Sequence, residues 1–135
     1  MQFAVPRSGL PAPRLLRRWA SAAAPKGLQV TLRIVDAVEG KNLNRRFRKK
    51  NRATNVLSFS YGKGAGDVVL CHPVVAREAR AQGKSVAAHY AHLVVHGVLH
   101  LRGYDHAAKA QAAKMERREI RILRRFGFAD PYELK

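Results

Sequence analysis

Apolar and polar positions alternate with period two from Leu28 to Asp36, where Leu28, Val30, Leu32 and Ile34 stand against Gln29, Thr31, Arg33 and Val35. This predicts a half-buried strand. A helical stretch follows through Leu43 and Phe47, and TNVLSFSY then makes a second strand with Val56, Leu57 and Phe59. GKGAG, Gly62 to Gly66, is read as a loop, and DVVLC, Asp67 to Cys71, as a third and fully buried strand. Beyond it the period turns helical. PVVAREARAQG opens on proline and closes on glycine, a matched start and stop. SVAAHYAHLVVHGVLHLRG is the longest apolar helix and is expected to be buried on most sides, with Gly103 ending it. The last helix is predicted from about Ala107 to Phe126, capped by Gly127. No internal repeat interrupts this order, and 135 residues fit a single domain, 1–135.

The first 27 residues hold arginines and serines but no acid, which is the composition of an organellar transit peptide. Periodicity argues for a different reading. Pro13 can open a helix whose face is Leu15, Leu16, Trp19 and Ala23, ended by Pro25 and Gly27, so the segment is taken as part of the domain. Arg14, Arg17 and Arg18 break any secretory apolar region. No uninterrupted apolar run approaches the ~18 residues of a membrane helix. The single cysteine, Cys71, excludes an internal disulfide framework and suits a reducing compartment such as the cytoplasm.

Charge sharpens the picture: 26 Lys and Arg face 9 Asp and Glu, for a net +17. A domain this basic is drawn to polyanions. RRFRKKNR, Arg45 to Arg52, is one cluster, and MERREIRILRR sets Arg117, Arg121, Arg124 and Arg125 close to one helical stripe. Neither has the broad apolar face of a membrane-surface helix, so nucleic acid is the favoured partner.

VHGVLHLRGYDH, Val95 to His106, carries the chemistry. Residues four apart share a helix face, so His96 and His100 can serve one metal ion. Gly103 lets the chain turn back and bring His106 to it. The H-x3-H-x5-H spacing matches a zinc-protease arrangement with three ligands and an open position, where bound water ionises near ~7. A straight row including His92 would span about 12 Å, too long for one ion, so His92 is expected to be a neighbour rather than a ligand. A closed structural site with Asp105 or Cys71 as fourth ligand is the alternative; Asp105 could equally orient a ligand histidine from behind. The protease's glutamate is replaced by Gly97, which disfavours peptide hydrolysis unless Glu116 or Glu119 comes in from the last helix.

With HGVLHLRGYDH, NLNRRFRKKNRATNVLSF, GDVVLC, MERREIRIL and FGFADPY in order, the chain resembles the YbeY family of metal-dependent endoribonucleases from about Leu28 to Tyr132. The resemblance implies an α+β fold, a small mostly parallel sheet of about four strands surrounded by helices, with the metal site on a buried helix and the following turn. It implies one zinc ion on His96, His100 and His106, with Arg48 at the active-site groove. The implied activity is single-strand-specific cleavage of RNA in ribosomal RNA maturation and ribosome quality control, with the small ribosomal subunit as partner. The residues agree with this on their own terms, because a guanidinium such as Arg48 binds phosphate through two parallel hydrogen bonds. Arg46, Lys50 and Arg52 beside it would hold the RNA backbone. The alternatives are a non-catalytic ribosome assembly factor with a structural zinc and, more weakly, a metalloprotease. The short Gly62 to Gly66 loop and the basic last helix depart from the family pattern.

Overall fold

The computed structural model describes residues 1–48, 54–62, 64–102 and 109–133, the side chains of Phe47 and Arg48 excepted. Its elements run β1 (Gln2–Phe3), α1 (Pro13–Ala23), β2 (Gln29–Val35), α2 (Ala37–Arg48), β3 (Val56–Gly62), β4 (Ala65–Cys71), α3 (His72–Ala81), α4 (Val86–Leu101) and α5 (Lys109–Arg125). The four strands form one sheet in the order β1-β2-β4-β3. β1 and β4 pair parallel to β2, and β3 pairs antiparallel to β4. The fold is α+β with a mostly parallel sheet, as expected.

Strand alternation assigns each face of the sheet to its own core. Leu32 and Ile34 of β2, paired with Val68 and Leu70 of β4, point into the larger core with α1, α4 and α5. Val69 and Cys71 point the other way, joining Val35, Leu57 and Val74 beneath α2. Expecting β2 to be half-buried is therefore wrong at its end, where Val35 is covered too. Cys71 is a buried hydrophobe in the smaller core, with its Sγ 3.0 Å from where a side chain at Gly40 would begin.

Helix α1 buries Leu16, Trp19, Ala20 and Ala23, while Leu15 lies only partly covered at the edge. β1 is not predicted: two residues are too few to show a period, and the strand exists through its pairing with Arg33 and Ile34. The predicted Gly62 to Gly66 loop is shorter than expected, since β3 reaches Gly62 and β4 begins at Ala65. Gly66 is a packing site rather than a turn residue. A methyl there would stand 2.7 Å from Leu101 Cδ2, so the end of α4 settles into the space the glycine leaves. Ser85 caps α4 by accepting from the Ala88 amide at 3.0 Å. The predicted stop at Gly103 lies outside the described residues.

Two histidines away from the candidate metal ligands link stability to pH. His72 Nδ1 meets the buried Tyr90 hydroxyl at 2.7 Å, and burial pushes the His72 pKa down. His89 is 3% exposed; burial pushes its pKa down against the opposing pull of Glu78 at 2.9 Å. A histidine held below its ordinary value binds fewer protons folded than unfolded, so its contribution is intact above about pH 6.5 and falls with acidification. The denaturant midpoint is expected to drop between about pH 7.5 and 5.5. His89→Gln should flatten that slope; an equal slope in wild type and variant would rule this origin out.

Candidate metal centre

Helix α4 is the central helix of the larger core, packed by α1, α3 and α5 and by strands β3 and β4. Its histidines emerge along one flank. The rings of His96 and His100 lie 4.7 Å apart at 72°, the juxtaposition that i, i+4 spacing predicts. His106 and Asp105, expected as third ligand and orienting carboxylate, lie outside the described residues. Arg48 ends α2 with its side chain outside them, as do Lys50 and Arg52; Arg46 is described and exposed.

What the sequence does not foretell is the group behind His96. Glu119 of α5 is fully buried, and its Oε1 accepts from His96 Nδ1 at 2.6 Å. Its Oε2 lies 3.2 Å from His92 Nε2 and also accepts from the Tyr132 hydroxyl. Burial alone would push the Glu119 pKa up, but hydrogen bonds from His92, His96 and Tyr132 outweigh it and hold the acid at about 2. Tyr132 moves the opposite way: burial and the adjoining carboxylate raise its pKa, so its hydroxyl stays a donor. With Nδ1 donating to a carboxylate, a neutral His96 carries its lone pair on Nε2, the tautomer that a metal needs.

His92, His96 and Glu119 place ligand atoms within 4.8 Å of one another, so this group could itself hold a metal ion. Those atoms are already bonded to each other, and a metal among them would have to displace the hydrogen bonds that satisfy a buried charge. Coordination through His96 Nε2, beside His100, would leave the Nδ1 bond to Glu119 in place. Both donor sets are imidazole-rich and fit a divalent transition metal.

Gly97 faces the sheet, not the histidine flank. A methyl there would stand 2.7 Å from Val68 Cγ1 and 3.2 Å from Ser58 Oγ, and Ser58 Oγ donates to the Gly97 carbonyl at 3.0 Å. The glycine is what lets α4 lie directly on β3 and β4.

A family model described as "Endoribonuclease YbeY" matches residues 13–127. The chain belongs to the YbeY family. It is 48% identical to "Endoribonuclease YbeY" of Nitrosomonas eutropha across 100% of this chain and 98% of that one. A second relative of the same name, from Thiobacillus denitrificans, is 52% identical across 98% and 93%. A solution structure of a Thermotoga maritima protein shares the fold, with a TM-score of 0.56 at 22% identity over 98% of both chains. The YbeY match spans α2, α4 and α5, the helices that carry Arg48, the histidines and Glu119.

From the sequence Glu119 is only a stray candidate for a protease base, yet the signal for its burial is present. Met115, Glu119, Ile122 and Leu123 form the buried stripe of α5, so a carboxylate occupies a core position of an amphipathic helix. A carboxylate there needs a buried partner.

Proposed function

We propose that this YbeY-family chain is a metal-dependent endoribonuclease that cuts single-stranded RNA in ribosomal RNA maturation and quality control. Its partner would be the small ribosomal subunit, in the cytoplasm. One zinc ion would be held by His96, His100 and His106. The observation that carries this reading is His96 beside His100 with its Nδ1 on the buried Glu119 carboxylate, a ligand ring oriented from behind. Family membership and the relatives' names point to RNA as the substrate.

A divalent cation there would supply positive charge to the phosphodiester as it is attacked. The chain's own groups do the rest. Glu119 and Tyr132 fix the His96 ring and its tautomer, and Arg48 at the end of α2 would bind a phosphate through two parallel hydrogen bonds. Arg46, Lys50 and Arg52 would hold the flanking RNA backbone and make binding weaken steeply with salt. A protease is disfavoured, because position 97 lies against the sheet and Glu119 lies behind His96.

The His92, His96 and Glu119 group gives a specific reason to keep the second reading, a ribosome assembly factor with a structural metal. Metal analysis, cleavage of a single-stranded ribosomal RNA fragment and circular dichroism, each with and without chelator, separate the two. Chelation is expected to stop cleavage while the protein stays folded. His96→Ala and His100→Ala are expected to lose metal and activity, and His92→Ala to keep its metal. Unfolding on chelation, or full cleavage by folded His96→Ala, would overturn the nuclease assignment.

A further inference from the structure

Helix α5 segregates its charges. Its acids, Glu116 and Glu119, are partly and fully buried, and Arg118 is partly buried with them, whereas Lys114, Arg117, Arg121, Arg124 and Arg125 are all exposed. Arg117 and Arg121 each lie two residues from Glu119, about 200° around the helix. The basic stripe therefore points away from His96. From Lys114 to Arg125 it runs about 16 Å at 1.5 Å per residue. One strand of a nucleic-acid duplex carries roughly five phosphates over that length. None of the five cations forms an ion pair among the described residues.

The stripe continues onto α1. The Arg18 guanidinium lies over the Phe126 ring, 5.8 Å from its centroid, at the end of α5. Arg14, one turn earlier on the same face of α1, is exposed, and α1 contains no acid. The exposed large apolar side chains among the described residues are Val38, Tyr61 and Tyr132, none of them on α1 or α5. A membrane-surface helix needs exposed apolar anchors beside its cations, and here the large apolar side chains nearest the stripe, Leu15 and Phe126, are partly buried. Four of the five cations in this stripe are arginine, whose planar fork matches phosphate oxygens in pairs.

We propose that the exposed faces of α5 and α1 form a second RNA-docking surface, directed away from the histidine site, that grips the phosphate backbone of structured RNA. It would anchor a folded RNA on one side of the molecule while a single-stranded segment reaches the histidines. The proposal rests on the nuclease reading for its choice of polyanion, and its test is separable from that reading.

The decisive variant is Arg117→Gln/Arg121→Gln/Arg124→Gln/Arg125→Gln, with Lys26→Gln/Lys41→Gln/Arg77→Gln/Arg80→Gln as an equal-charge control at exposed sites elsewhere. The α5 variant is expected to bind a structured ribosomal RNA fragment about tenfold or more weakly at about 0.15 M salt, with its log–log salt slope shallower by about three. The control should change binding about twofold or less, and cleavage of a short single-stranded oligonucleotide should be unchanged in both. Equal losses in variant and control would reduce the effect to net charge and overturn the proposal. So would unchanged RNA binding with lost binding to phosphatidylglycerol–phosphatidylethanolamine vesicles. A wild type that cleaves no RNA but binds it through α5 would sink the nuclease reading and leave this surface standing.

Discussion

Replacing Glu119 by glutamine is expected to lower the affinity for a divalent cation by about 10- to 100-fold while the metal-free protein stays folded. Glutamine has nearly the same shape and keeps one acceptor oxygen, so Tyr132 or His92 retains a partner. It no longer offers two acceptor oxygens of full negative charge. Either the Nδ1–H of His96 loses its charged acceptor, or the amide NH2 turns toward Nδ1 and favours the tautomer that places the proton on Nε2. The first makes the Nε2 lone pair a weaker donor to a metal, and the second removes it. Glu119→Ala should do more damage, because it removes the acceptor of His96 Nδ1 and leaves the Tyr132 hydroxyl only His92 Nε2, at 3.2 Å, among the described residues. Leaving one such donor unpaired costs about 1–3 kcal/mol. Competition with a chromophoric chelator measures the first effect and denaturant unfolding of the metal-free protein the second. Unchanged metal affinity in folded Glu119→Gln would show that the carboxylate serves stability alone.

The parts of the fold that were legible share one property: their period is long enough to count. Alternation through β2 and the helical stripes of α1 and α5 appear in the sequence because each repeats several times against one core. β1 has two residues and no pattern of its own. Gly66 reads locally as a loop glycine, and only the arrival of Leu101 from α4 gives it a packing role. The site divides in the same way. His96 and His100 meet because their spacing lies within one helix, whereas the link from His96 to Glu119 crosses 23 positions and depends on how α5 docks. Tyr132 is further still from the histidines in sequence, and it reaches Glu119 from the segment after α5. A local motif can name such a site but not the groups that orient it.

Gly97→Ala is expected to destabilise the protein by about 1–3 kcal/mol, even though alanine is the better helix former by about 1 kcal/mol. The new methyl would lie 2.7 Å from Val68 Cγ1, 3.2 Å from Ser58 Oγ and 3.3 Å from Val56 Cγ2. Val68 is fully buried in the middle of β4 and, being branched at Cβ, has little rotamer freedom to retreat. Helix α4 must then lift, loosening the Ser58 hydrogen bond to the Gly97 carbonyl. Gly97→Glu writes the full zinc-protease pattern into the sequence, yet it should yield no protease. It drives a carboxylate against a tightly packed sheet without a cationic partner, at a cost of several kcal/mol out of a typical 5–15 kcal/mol of total stability. Insoluble or largely unfolded protein is the expected result. Denaturant titration of Gly97→Ala, Val68→Ala and the double variant tests the cause directly: the double should be less destabilised than the sum of the singles, since removing the Val68 methyls makes room for the new one. A Gly97→Ala protein as stable as wild type would mean that the helix does not need the glycine to lie on the sheet. The absence of a protease's glutamate would then have to be explained by chemistry alone.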